Sequence, residues 1–242
     1  LDPRTGEIIK GHVTLGSLRV RQDLLIAQGL TGAFDGDPVK LKAAKAMALD
    51  RIRQLSAHEV GHTLGIAHNF AASVNDRASV MDYPHPLATI DNKGDVVLNG
   101  AYTQGVAEWD KYVIAYGYSD FTADEAAQLA RLEAQAKAKG LLFISDPDSR
   151  SSGNAHPDAH LWDNGKDPID ELKRMIAVRA KALAKFGINS IDQGQSLSTL
   201  EEKLVPIYLY HRFQIEAAAK LIGGLDYSYE VKSASKAMGS SV

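Results

Sequence analysis

The run His58-Glu59-Val60-Gly61-His62-Thr63-Leu64-Gly65-Ile66-Ala67-His68 constrains this chain more than any other stretch. On a helix, residues four apart lie one turn apart on the same face, so His58 and His62 can aim two imidazoles at one point. Glu59 projects beside them, where its carboxylate can act on a water rather than on a metal. A helix continuing straight on would carry His68 nearly two turns away. Gly65 can adopt positive φ, end the helix and turn the chain, which brings His68 back as a third ligand. Three protein nitrogens leave a fourth position open, as a catalytic rather than a structural zinc site requires. The residues flanking this run must therefore form a long helix that stops abruptly.

Composition narrows the metal chemistry. The chain has no cysteine, so a transition-metal site must be built from His, Asp, Glu or Tyr. Neutral imidazole suits a borderline-soft divalent ion, and Zn2+ is the expected cofactor. With 45% hydrophobic residues the 242-residue chain can bury a core without disulfides. A formal net charge of −3 carries no footprint for nucleic acid or an anionic membrane. No apolar run is long enough to span a bilayer. The sequence opens at Leu1 without a signal-peptide pattern and reads as a piece of a longer protein.

Patterning along the chain places the run within a larger frame. Glu7-Ile8-Ile9 and residues 12–20 are β-prone and broken by Gly. Residues 21–28 are expected to make one or two helical turns, with Gly29, Gly32 and Gly36 marking a loop. Asp37-Pro38 is a helix start signal, and residues 39–64 are the clearest helix. Residues 65–100 read as irregular, with a hairpin turning at Asn92-Lys93-Gly94. Residues 104–116 form an expected helix. Thr122-Ala123-Asp124-Glu125 opens another to Lys139, and residues 141–144 a short strand. After a polar loop over 145–166, Asp167-Pro168 starts a helix to about Phe186. Ser198-Thr199-Leu200-Glu201 caps one reaching Ile222, which Pro206 should kink or divide.

The metal-binding run followed by Ser79-Val80-Met81-Asp82-Tyr83 resembles the metzincin pattern of zinc proteases, in which a Met-turn follows the histidines. More narrowly, the chain is similar to bacterial zinc-dependent metalloproteases with an EcxA-like zinc-binding domain. The likeness rests on residues 2–8, 16–23 and 54–65, on His68-Asn69, and on Leu209-Tyr210-His211-Arg212. It implies an α+β fold with a zincin catalytic domain over residues 1–118. That domain would hold a fragmentary N-terminal sheet, a long active-site helix and a Met-turn, followed by a mainly helical subdomain over 119–242. It further implies zinc held by His58, His62 and His68, Glu59 as general base, and Met81 as an apolar floor. Tyr83 would stabilise the oxyanion, the substrate would be protein or peptide, and action would lie outside the cytoplasm. Asn69 departs from the Asp or Ser of better-known branches, so no role carries over to it.

Blander readings stand beside these. His156, His160, Asp163 and Asp167 are expected to be loop residues rather than a second metal site. Asp146 and Asp148 lack the regular oxygen spacing of a calcium loop. His85 reads as a loop residue near the cleft, His211 as a packed histidine, and His12 has no pairing signal. The stretch 12–20 is expected to pack in a sheet or to pair with extended substrate by strand addition. Two other functions fit the run: a zinc-containing module that binds without cleaving, and a zinc hydrolase of non-peptide substrates.

Overall fold

The computed structural model describes residues 1–32, 37–151 and 153–231, so Gly36 lies outside the described residues. Residues 1–16 are exposed, apart from half-buried Asp2, and form no strand. Helix α1 (Ser17–Thr31) then takes over, covering part of the β-prone stretch and the whole of 21–28. The expected N-terminal sheet and its substrate-pairing edge are therefore corrected. The segment beyond Gly16 is rich in Leu, Arg, Gln and Ala, whose helix propensity outweighs three scattered β-branched residues, Val20, Ile26 and Thr31. Gly29 is not a loop residue but lies within α1. A Cβ there would stand 2.8 Å from the Ile207 side chain and 3.1 Å from the Lys203 carbonyl, so it lets two helices approach closely. Gly32, at φ 63°, ends the helix as its first left-handed residue.

Helix α2 (Pro38–Thr63) is the 26-residue helix the sequence calls for. Asp37 caps it by accepting from the Lys40 N–H at 3.0 Å. The only sheet among the described residues is the expected hairpin. β1 (Thr89–Ile90) pairs antiparallel with β2 (Val96–Val97), Thr89 opposite Val97, around Gly94 at φ 78°. The α+β expectation thus becomes a mixed but mostly helical molecule.

Helix α3 spans Glu108–Tyr118, and α4, Glu125–Ala138, is capped by Asp124 rather than Thr122. Residues 141–144 find no partner strand and stay irregular, while Asp146–Ser149 form a single helical turn, α5. Asp167 caps α6 (Pro168–Lys185) through the N–H groups of Ile169 and Asp170. The last predicted helix is two, α7 (Ser198–Tyr208) and α8 (Arg212–Gly223), parted just after Pro206. Ser198 is the first helical residue there and makes no cap.

The largest core draws Ala27 and Leu30 from α1, Ala44 and Met47 from α2, and Met175 and Val178 from α6, with Ile207 and Tyr210 beside them. Each such buried Leu, Met or Val is worth about 1.5–3 kcal/mol. A smaller cluster of Ala78, Val80, Met81 and Trp109 lies under the C-terminal end of α2. No helix among the described residues is long and apolar enough to cross a membrane.

Candidate metal centre

The end of α2 is closed by paired backbone bonds. The Ile66 N–H reaches the Gly61 carbonyl at 3.1 Å, and the Gly65 N–H reaches that of His62 at 3.0 Å. This is a Schellman closure, and it needs the left-handed residue that Gly65 supplies at φ 79°. The chain then doubles back and delivers His68 to the ring edges of His58 and His62. The same turn fixes a ring, because His62 Nδ1 lies 2.8 Å from the Ile66 carbonyl.

All three imidazoles are held the same way round. His58 Nδ1 is 2.7 Å from the Val80 carbonyl, and His68 Nδ1 is 2.9 Å from the Asp146 carboxylate. Carbonyl and carboxylate oxygens only accept, so each Nδ1 donates and each Nε2 keeps a lone pair. Those Nε2 atoms face one another, His62 lying 3.0 Å from His58 and 3.2 Å from His68. Three lone pairs at that spacing repel unless a cation stands among them. Tetrahedral zinc–nitrogen bonds of about 2.0–2.1 Å set nitrogens about 3.3 Å apart, close to what is seen. The residues fit zinc. Burial, the largest influence, pushes His58 down to about 4, which keeps it a neutral donor.

The floor of the site is apolar. Met81, 1% exposed, sits so close beneath α2 that a Cβ on Gly61 would collide with its sulfur. That turn is clamped by buried Asp110, which accepts from Ser79 Oγ at 2.6 Å, from the Val80 N–H at 3.0 Å and from the Ala107 N–H at 2.7 Å. Gln54 Nε2 donates to the Val80 carbonyl at 2.9 Å, from one turn before His58. Asn69 is fully buried, and its amide donates to the Leu142 carbonyl at 2.9 Å while its N–H meets the Met81 carbonyl.

Tyr83 stands beside the histidines, its ring centroid 4.8 Å from His68 and 5.3 Å from His58. Phe70 and Trp162 flank it, each at 5.1 Å. Burial raises its phenol above the ordinary value, so it is protonated at neutral pH. Glu59, on α2 next to His58, is part-buried and accepts no hydrogen bond among the described residues.

The weaker candidates separate cleanly. Among the described residues, the grouping of three or more His, Asp or Glu able to share an ion is His58, His62 and His68. His156 Nε2 donates to the Tyr227 carbonyl at 3.0 Å, and Asp167 is spent as a cap. Asp163 is buried and accepts from Ser73 Oγ at 3.2 Å. Asp148 accepts from the Tyr229 hydroxyl at 2.6 Å, while Asp146 turns to His68, so the two share no calcium geometry. His85 packs on Tyr210 at 4.6 Å and lines a cavity of about 400 Å³ with Arg19, Trp162 and Phe213, whose lining includes none of the three imidazoles. His211 is part-buried, and His12 reaches only Thr14 among the described residues.

Sequence reasoning missed Asp110 altogether, and missed that Asp146 and Gln54 support the imidazoles. No local pattern marks a carboxylate that acts across 31 or 78 residues. Gly61 did leave a signal, since glycine inside a helix costs about 1 kcal/mol against alanine and calls for a reason.

A family model described as Met-zincin matches residues 40–241, most of the chain. No curated protein and no solved structure matches. The family match meets a site whose imidazoles already converge at zinc spacing, and the chain belongs to the Met-zincin family.

Proposed function

We propose that this chain is a zinc-dependent endopeptidase, with zinc held by His58, His62 and His68, Glu59 as general base and Tyr83 as a hydrogen-bond donor to the oxyanion. The observation that carries this reading is the convergence of three Nε2 lone pairs at the end of α2, the helix that also carries Glu59, which accepts no hydrogen bond among the described residues. A bound zinc supplies a Lewis acid that acidifies a coordinated water and polarises the scissile carbonyl.

The protein's own groups do the rest. Glu59 accepts a proton from the attacking water as the new C–O bond forms, then gives it to the amine nitrogen as the C–N bond breaks. The protonated Tyr83 phenol is suited to donate to the developing oxyanion, and its aromatic flanks hold the ring in place. Gln54 and the carbonyls of Val80 and Ile66 restrict the rings, so that little reorganisation accompanies the reaction. Met81 serves as the apolar floor, and Gly65 as the turn that returns His68. In this reading residues 1–118 carry the catalytic unit and 119–242 a helical subdomain. Action outside the cytoplasm follows from the resemblance to secreted metalloproteases.

The test is cleavage of an unstructured protein by the zinc-loaded chain, with Glu59→Ala as control. The expected result is internal cleavage by the wild type and a loss of about 10²–10⁴-fold in the variant. Zinc bound without any cleavage favours the binding module. Cleavage that survives in the Glu59 variant contradicts the assigned base.

A further inference from the structure

Two of the three imidazoles lean on backbone carbonyls that belong to the turn ending α2 and to the turn beneath it. His68 is different. Its Nδ1 faces both oxygens of Asp146, at 2.9 and 3.1 Å, and Asp146 comes from a part of the chain 78 residues away. We infer that Asp146 is a positioning residue for the metal: it orients His68, strengthens its Nε2 as a donor and places a negative charge beside three neutral ligands. This inference rests on the proposed zinc site and deepens it, because it makes the second half of the chain part of that site.

Three observations support it. The first is the bond itself. A carboxylate partner on the outer nitrogen of a ligating histidine fixes ring and tautomer and raises ligand basicity. The second is that the segment is built to hold Asp146 in place. α5 begins at Asp146 with Pro147 next, and the turn is closed by Ser149 Oγ donating to the Ser145 carbonyl at 2.7 Å. Tyr229 latches it from outside, its hydroxyl 2.6 Å from Asp148 Oδ2 and 3.0 Å from the Ser145 N–H. The third is that the same turn reaches the other side of the site. Arg150 lies 3.7 Å from Asp146 Oδ2, and its guanidinium stands 5.9 Å from the Tyr83 ring centroid. One short turn thus touches both the third imidazole and the tyrosine beside it. His68 needs such a partner most, because it lies beyond α2 and no helix sets its ring.

Asp146 is about one-third exposed, so its replacement leaves the core intact. The experiment is zinc affinity of the full chain, measured by competition with a chromogenic chelator, for wild type, Asp146→Asn and Asp146→Ala. The melting temperature of each metal-free protein is recorded alongside. Asp146→Ala is expected to weaken zinc binding by about 10–100-fold. Asp146→Asn, which keeps an acceptor but not the charge, should fall between, and the metal-free melting temperatures should stay together. Equal zinc affinity in all three proteins overturns the inference while leaving the zinc site standing. A wild type that binds no zinc overturns both. A drop in affinity matched by an equal loss of metal-free stability would assign Asp146 to the fold and also overturn the positioning role.

Discussion

Two glycines near the metal centre do different work. Gly65 supplies a backbone angle, whereas Gly61 supplies room, since the sulfur of Met81 occupies the space a side chain would need. Gly61→Ala therefore sets two effects against each other. Alanine gains about 1 kcal/mol of helix propensity. Overpacking against a buried Met costs about 1–3 kcal/mol. Met81 is 1% exposed and has little freedom to retreat, so the net change should be destabilising. Urea unfolding of the metal-free variant checks this; a midpoint above that of the wild type would show that Met81 moves aside. At this scale much was legible in the sequence. The choice of the three imidazoles and the turn at Gly65 follow from local spacing, whereas the floor at Met81 comes only from the family resemblance. Two of the imidazoles' three hydrogen-bond partners are not legible there, because Val80 and Asp146 meet His58 and His68 only through the tertiary fold.

Among the elements, α2 and the turn over residues 79–83 act as one unit held by Asp110. Its carboxylate accepts from Ser79, Val80 and Ala107, and the Val80 carbonyl in turn holds both His58 and Gln54. Asp110→Ala strands buried donors, each at about 1–3 kcal/mol. The expected outcome is a loss of several kcal/mol in urea unfolding, together with weaker zinc binding as the turn loosens. Unchanged zinc affinity in a destabilised variant would show that His58 does not depend on that clamp. Elements with strong local signals, such as the Asp-Pro starts of α2 and α6 and the hairpin at Gly94, form where periodicity and capping place them. Failures occur where partners decide. Residues 12–20 have β-prone side chains, but no strand among the described residues pairs with them, and Ser17 onward coils against α2 and α7 instead. Residues 141–144 likewise lack a partner among the described residues, and a strand without one has no ladder to join.

The whole molecule carries opposing titrations. Burial holds His58 and His160 down to about 4 and His85 to about 3, below the ordinary 6.5. The unfolded chain binds these protons first as pH falls. The stability they confer is therefore present above pH 6.5 and is lost as pH drops towards 4 and 3. Asp82 and Asp163 act in the other sense. Burial raises both, Asp163 to about 7, so their contribution is full below pH 3.8 and is lost as pH rises towards 7. Asp163→Asn should remove part of the decline between pH 4 and 7, which melting curves of the metal-free protein will show. A parallel decline in wild type and variant would contradict the raised carboxyl.

Anomalous diffraction at the zinc edge from crystals of the loaded chain tests the central claim most directly. The expected result is one peak about 2.0–2.1 Å from each Nε2 of His58, His62 and His68, with the Asp146 carboxylate on the far side of the third ring. A peak elsewhere, or none after loading, would contradict the metal centre and the peptidase built on it.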